Sequence, residues 1–245
     1  MHRFFVPAEW LAAPQITLSG PLAHQIYRVL RLAPGARILL LDNTGWAYEA
    51  ELDRVAPKEV LAHVVGRWQP QTEPRVRIVL YQALLKEQKF NWVLQKGTEL
   101  GVAAFVPVMT ERCVVNLREE RGKRARWSRI ITEAAEQCGR ARLPELHPVI
   151  PWTEICALVK PDALWLLAWE SPEAPPLGQE LRALGDAPTQ VCLCIGPEGG
   201  LTPAEVALGK DAGMRPVSLG PRILRAETAG LAAVAALHYA LGELG

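Results

Sequence analysis

No stretch of this chain reaches the roughly 18 consecutive apolar residues of a membrane-spanning helix. The opening residues, MHRFFVPAEWL, hold no extended apolar segment and no small-residue cleavage site, so no signal peptide is expected and the chain is expected in the cytoplasm. The 5 cysteines form no C-x-x-C, and the 5 histidines form neither H-x-x-x-H nor H-E-x-x-H. No metal site is expected, and the thiols are expected to be reduced. Cys192 and Cys194 lie two apart in an expected strand, so both should face one side. Two phosphate signatures are also missing: G-x-x-x-x-G-K-[ST] and G-x-G-x-x-G. Their absence removes the P-loop and the dinucleotide fingerprint.

What is present is ordinary in bulk and uneven in distribution. The 245 residues fit one large domain or two modest ones, with 49% hydrophobic and 22% charged residues. The net charge of +1 hides a strong asymmetry. Residues 1–74 balance 7 basic against 7 acidic side chains, residues 75–142 carry 14 against 7, and residues 143–245 carry 6 against 12. A basic middle on a neutral chain fits either a face for a polyanion or a solvated helix face.

Hydrophobic patterning divides the chain near residue 70. HRFFV (2–6), ARILLLD (36–42), WAYEAELD (46–53) and EVLAHVVGRW (59–68) read as strands, with NTG (43–45) as a tight turn and helical turns around 21–32. This is a small barrel-like module. The polar segment QPQTEP (69–74) reads as a linker. Beyond it, strands alternate with helices: strands 76–84, 103–108, 163–169, 190–195 and 216–219, and helices 88–100, 122–140, 177–184, one opening at TPAE (202–205), and 227–242. That order predicts an α/β domain with a parallel sheet. In the helices, Phe90, Val93, Leu94 and Leu100, and then Ile130, Ile131, Ala134, Ala135 and Cys138, are expected to face inward.

Chemistry concentrates where two strands end in glycine-rich turns, the place where ligands bind in open parallel sheets. The first is IGPEGG (195–200). Pro197 removes an N–H that a phosphate nest would use, and Glu198 places a negative charge there. A phosphate is therefore disfavoured, which leaves a ligand with cationic character or a purely structural turn. The second turn is LGPRILRAETAG (219–230). Arg222 and Arg225 are polar in an otherwise apolar loop, open to ligand contacts or to ion pairs.

Together these turns resemble the knotted SPOUT class of RNA methyltransferases, and more narrowly the RsmE family. HQIYRVLR (24–31), LLKEQKFNWVLQKGTELGV (84–102), PVMTERCVV (107–115) and EAAEQCGRARLPEL (133–146) carry the same resemblance in the same order. The segment 147–190 adds none. The resemblance implies a PUA-like β-barrel for RNA binding at residues 1–70. It also implies a SPOUT methyltransferase domain with a C-terminal trefoil knot at 71–245. It further implies a homodimer that transfers a methyl group from S-adenosylmethionine to N3 of a uridine in small-subunit (16S) ribosomal RNA.

The same resemblance implies the site residues. Loops 167–170, 195–200 and 219–225 would hold the cofactor, through Leu167, Glu170, Ile195, Gly196, Pro197, Glu198, Gly200, Leu219, Gly220, Ile223, Leu224, Arg225 and Thr228. Ile223 and Leu224 would sandwich the adenine. Arg225 would stabilise the developing uracil anion, because a guanidinium keeps its charge. Glu198 or Glu227 would accept the N3 proton, with a helix-capping role as the alternative for Glu227. RNA contacts would fall to Arg28, Arg31, Lys86, Lys89, Lys96, Arg112 and Arg140. The cluster that also contains Arg118, Arg121, Lys123, Arg124, Arg126 and Arg142 would add to them. Arg28 and Arg31 are expected three apart on one helical turn. A noncatalytic RNA binder and a nucleotide-phosphate enzyme are the competing readings. The intact turns count against the first, and the missing phosphate signatures against the second.

Overall fold

The structure is a computed structural model that describes residues 1–114 and 120–244, leaving out the side chains of Glu120 and Arg121. Arg118 and the Arg121 side chain therefore lie outside the described residues. The chain forms two compact units: Met1–Glu73 with Thr132–Leu143, and Pro74–Ile131 with Pro144–Gly245. A division at residue 70 does not include the excursion 132–143.

The first unit is a curled five-stranded sheet, a half-barrel. Its strands are β1 (His2–Phe5), β2 (Gln15–Ser19), β3 (Arg37–Leu41), β4 (Ala47–Val55) and β5 (Glu59–Trp68), in the order β1-β3-β4-β5-β2. β1 pairs β3 in parallel, and the other pairs are antiparallel. Bulges between Glu49 and Ala50 and between Leu52 and Arg54 sharpen the curl. Alternate residues Ile16, Leu18, Ile38, Leu40, Ala50, Leu52, Val60 and Ala62 fill the concave side. β2 escaped the sequence reading, because QITLS offers only Ile16 and Leu18 as inward residues. Helix α1 (Gly20–His24) runs into a π-helical turn at Gln25–Val29.

The turn Asn43–Gly45 has both ends at positive φ, and Asp42 accepts hydrogen bonds from the Thr44 amide and hydroxyl. Asn43 Oδ1 in turn accepts from the Leu143 amide at 2.6 Å. The end of α3 (Glu120–Cys138) belongs to this unit: Glu136 accepts a hydrogen bond from the Phe5 amide at 3.0 Å.

The second unit is a seven-stranded parallel sheet. Its strands are β6 (Arg77–Ala83), β7 (Ala104–Met109), β8 (Glu145–Leu146), β9 (Ile150–Pro151), β10 (Leu164–Ala168), β11 (Gln190–Ile195) and β12 (Arg215–Val217). The order is β12-β10-β11-β6-β7-β8, with β9 also on β7. Its helices besides α3 are α2 (Glu87–Glu99), α4 (Trp152–Leu158), α5 (Leu177–Arg182), α6 (Pro203–Asp211) and α7 (Ala226–Ala240). Both faces are covered, so the central strands are apolar over most of their length.

β11 shows the division. Val191, Leu193 and Ile195 pack toward Phe90, Val93, Trp127, Val234 and Leu237. Cys192 and Cys194 pack on the other face with Trp152, Ile155, Val206 and Met214. The two thiols thus share a side, as their spacing predicts, and all five cysteines are free. Burying a side chain such as Leu193 is worth about 1.5–3 kcal/mol. In α2, Phe90, Val93 and Leu94 are buried as expected. In α3 the expected Cys138 is exposed instead, and Trp127 takes the inward place, its ring 4.7 Å from that of Phe90.

The connections around β12 are threaded. The β10–β11 connection carries α5, whose Leu177 and Leu181 pack on the α7 side of the sheet. The β11–β12 connection carries α6, on the opposite side. As the chain leaves β12, the Ser218 amide donates to Pro175 O and the Leu177 amide donates to Ser218 O. Residue 218 is thereby paired with the loop 169–189 at Pro176. The chain then continues as α7 beneath β6 and β11, where a Cβ on Gly230 would meet Gln82 Oε1 at 3.0 Å. This is a SPOUT-type knotted parallel sheet with flanking helices.

Candidate cofactor site

Three strand ends converge on one cavity of about 360 Å³. Its walls come from residues 168–170 after β10, 195–201 after β11 and 218–226 after β12, completed by Lys89 and Arg112. A Cβ on Gly196 would lie 3.1 Å from Leu201 Cγ, so the first turn has little spare space. The turn closes through the Gly200 amide on Pro197 O at 3.0 Å, with Gly200 at φ +68°. A residue with a side chain is strained there.

The exit from this turn is fixed by a capping box. Thr202 Oγ1 accepts from the Glu205 amide at 3.2 Å, and Glu205 Oε2 accepts from the Thr202 amide at 2.8 Å, as TPAE predicts. The buried Glu205 carboxylate does more than close the box. Its second oxygen accepts from the Glu111 amide at 2.8 Å, which anchors the segment carrying Arg112. Arg112 then donates to Gly199 O at 2.8 Å.

Eleven of the 13 residues expected at the cofactor line this cavity. Leu167 does not: its side chain is fully buried in the core on the α4–α6 face. Thr228 does not either, being exposed on α7. The cavity also takes in Trp169 of the expected loop 167–170, Ser218 just before the expected loop 219–225, and Leu201, Ala226 and Ala229, whose apolar side chains give no local signal of a site. Arg222 and Arg225 stand exposed at its edge, and among the described residues neither has an ion-pair partner. Ile223 is 81% exposed.

Lys89 departs most from expectation. Its ammonium lies 3.3 Å from Glu198 Oε1 and 3.3 Å from Glu227 Oε2. The Lys86 amide donates to the same Glu198 oxygen at 3.5 Å. Burial tends to raise the Glu198 carboxyl, but its own amide, the Lys89 ammonium and the Lys86 amide outweigh that and hold it below its ordinary value. Burial alone would lower the Lys89 ammonium, whereas its two carboxylates hold it above its ordinary value. Glu227 sits in the first turn of α7, and its contact there is with Lys89.

The remaining expected RNA contacts scatter. Arg28 is exposed in the π-helical turn, but Arg31 lies beyond it at φ 51°, so the two do not share a helical turn. Lys86 is exposed at the start of α2. Lys96 pairs with Glu99 at 2.7 Å and lies 5.1 Å from the Trp92 ring centre. Arg140 is buried, at 5% exposure, with its guanidinium on Glu73 at 2.6 Å. Its position ties 140 to the linker and does not present a charge to solvent. Arg124 donates to Leu146 O, and Arg126 pairs with Glu87.

Residues 72–238 match the RNA methyltransferase domain family. The chain is 36% identical over 241 residues to the ribosomal RNA small subunit methyltransferase E of Synechocystis, across 98% of this chain and 78% of that protein. It belongs to the RsmE family of RNA methyltransferases. The Bacillus subtilis protein of the same name is 32% identical, across 98% of this chain and 96% of its own length. Among solved structures, the family member from Neisseria gonorrhoeae bound to S-adenosyl methionine has a TM-score of 0.89 at 32% identity. That match covers 98% of this chain and 97% of the other. A methyltransferase from Legionella pneumophila, in complex with the same cofactor, has a TM-score of 0.88 at 32% identity, over 97% of both chains. Among the described residues, no helix is long and apolar enough to cross a membrane.

Proposed function

We propose that this protein transfers a methyl group from S-adenosylmethionine to N3 of a uridine in small-subunit (16S) ribosomal RNA. The observation that carries this reading is the cavity built from three strand-end loops in a chain of this family. Its residues suit the cofactor. Its volume of about 360 Å³ is in the range of small-molecule sites. Ile195, Leu201, Leu219 and Leu224 give apolar walls for a flat base, and the glycines let backbone groups approach. Pro197 and Glu198 disfavour a phosphate and tolerate a positive ligand.

The bound cofactor supplies an electrophilic methyl group on a sulfonium. The chain's own work is to position the acceptor and favour its anion, formed as N3 loses its proton to solvent. Uridine N3 lies on the Watson–Crick edge, so the base must be unpaired or flipped out. Arg225, unpaired at the cavity edge, is assigned to the developing charge on the uracil oxygens. Glu198 is assigned to Lys89 rather than to proton transfer, because a carboxylate held below its ordinary value is a poorer acceptor.

In this reading residues 1–70 are a PUA-like RNA-binding domain, residues 71–245 form the methyltransferase domain, and the protein works as a cytoplasmic homodimer. Arg28, Arg31, Lys86 and Arg112 are exposed and are assigned to RNA contacts. Calorimetric titration with S-adenosylmethionine tests the cofactor. Saturable binding is expected, and its absence would refute the reading.

A further inference from the structure

Three segments far apart in sequence meet on one ammonium group. Lys89 comes from the first turn of α2, Glu198 from the turn after β11, and Glu227 from the first turn of α7, which follows the turn after β12. Glu198 lies within the first glycine-rich loop that walls the cavity, and Glu227 just after the wall residues of the second. Lys89 therefore joins both loops to α2, and the Lys86 amide adds a second hold on Glu198.

The charges do not cancel. One ammonium faces two carboxylates, leaving a single negative charge in the group. The three side chains are 31%, 27% and 15% exposed, which places them partly out of water. Lys89 and Glu198 line the cavity, Glu227 stands behind Lys89 outside the lining, and the other charges that line it are Glu170, Arg112, Arg222 and Arg225. All four are exposed, so solvent and salt screen them more strongly. A partly shielded charge such as Glu198 therefore acts more strongly on a ligand inside than an exposed charge at the same distance.

We propose that Glu198, Lys89 and Glu227 form a charge-selective clamp. It holds the two cofactor loops together and makes the cavity prefer a positively charged sulfonium over the neutral thioether left after transfer. This rests on the cofactor reading above. When the methyl group leaves, the carbon–sulfur electron pair stays on sulfur and the ligand's positive charge disappears. The clamp then loses its attraction for the ligand, and the demethylated product is released.

The test is calorimetric titration of S-adenosylmethionine and S-adenosylhomocysteine into the full chain and its variants. Glu227→Gln keeps the shape and removes one negative charge. It should weaken the sulfonium ligand about tenfold and the thioether by less than about threefold. Lys89→Met should weaken both ligands through the loosened loops while widening the preference for the sulfonium. Lys89→Arg should restore the wild-type ratio. If Glu227→Gln fails to fold, the Lys89 pair of variants decides. Ratios unmoved across all three variants would overturn the clamp, whereas wild-type protein that binds neither ligand would overturn the cofactor reading itself. Binding of a 16S RNA fragment should stay within about twofold in Lys89→Met. A loss of RNA affinity with both ligand affinities intact would return Lys89 to an RNA contact.

Discussion

Charge at single residues decides how this site works. Arg225 presents an unneutralised guanidinium at the cavity edge, and its backbone carbonyl takes the first hydrogen bonds of α7. Arg225→Ala should lower single-turnover methylation of a 16S fragment by about 10²–10³-fold. The cofactor affinity should stay within about threefold in the same variant, measured by calorimetry. Glu198 behaves differently. Its carboxyl is held below the usual 4.5, so the stability it contributes is full above that value and is lost as pH falls through the lowered one. The melting-temperature difference between wild type and Lys89→Met should therefore be largest near neutrality and shrink in acid below that range. A difference that grows in acid would contradict the pairing. These pairings were closed to the sequence reading. Lys89 and Glu198 lie more than a hundred residues apart, and Arg140 lies 67 from Glu73. Nothing local distinguishes a cation that is buried on a carboxylate from one that faces RNA.

Elements with a strong local signal were legible. EVLAHVVGRW and QVCLCI form strands over the expected residues, and TPAE forms its capping box. The local signal fails where an element is short and its reason is tertiary. QITLS becomes a strand because β5 offers an edge to pair with. WTEICAL becomes α4 because Trp152 donates to Glu205 O at 2.9 Å and its ring packs against α6. Thr202→Ala should cost about 1 kcal/mol, the usual loss of an N-cap. Glu205→Ala should cost more, about 2–3 kcal/mol, because it leaves the Thr202 and Glu111 amides without their acceptor. Chemical denaturation of the two variants checks the order. Leu193→Ala, in the middle of β11, should cost about 2–5 kcal/mol in the same assay.

At the scale of the whole chain, patterning gave the alternation of strands and helices but could not give the threading. Periodicity reports which face of an element is buried. It says nothing of whether the segment after β12 passes inside or outside the loop 169–189, with which Ser218 pairs. The basic middle of the sequence also resolves into parts. Arg140 is buried on Glu73, and the exposed Arg124 and Arg126 are engaged by Leu146 O and Glu87, so fewer cations are free to meet RNA than the count implies. RNA affinity should still fall as salt rises, with a slope set by the remaining exposed cations.

Methyl transfer to one base edge is the activity that everything above serves. Mass mapping of small-subunit ribosomal RNA from a strain lacking this gene tests it most directly. One uridine should lose its N3 methyl group, and the wild-type gene should restore it where the Arg225→Ala variant does not. Ribosomal RNA from the deletion strain with every uridine N3 methylation intact would contradict that activity.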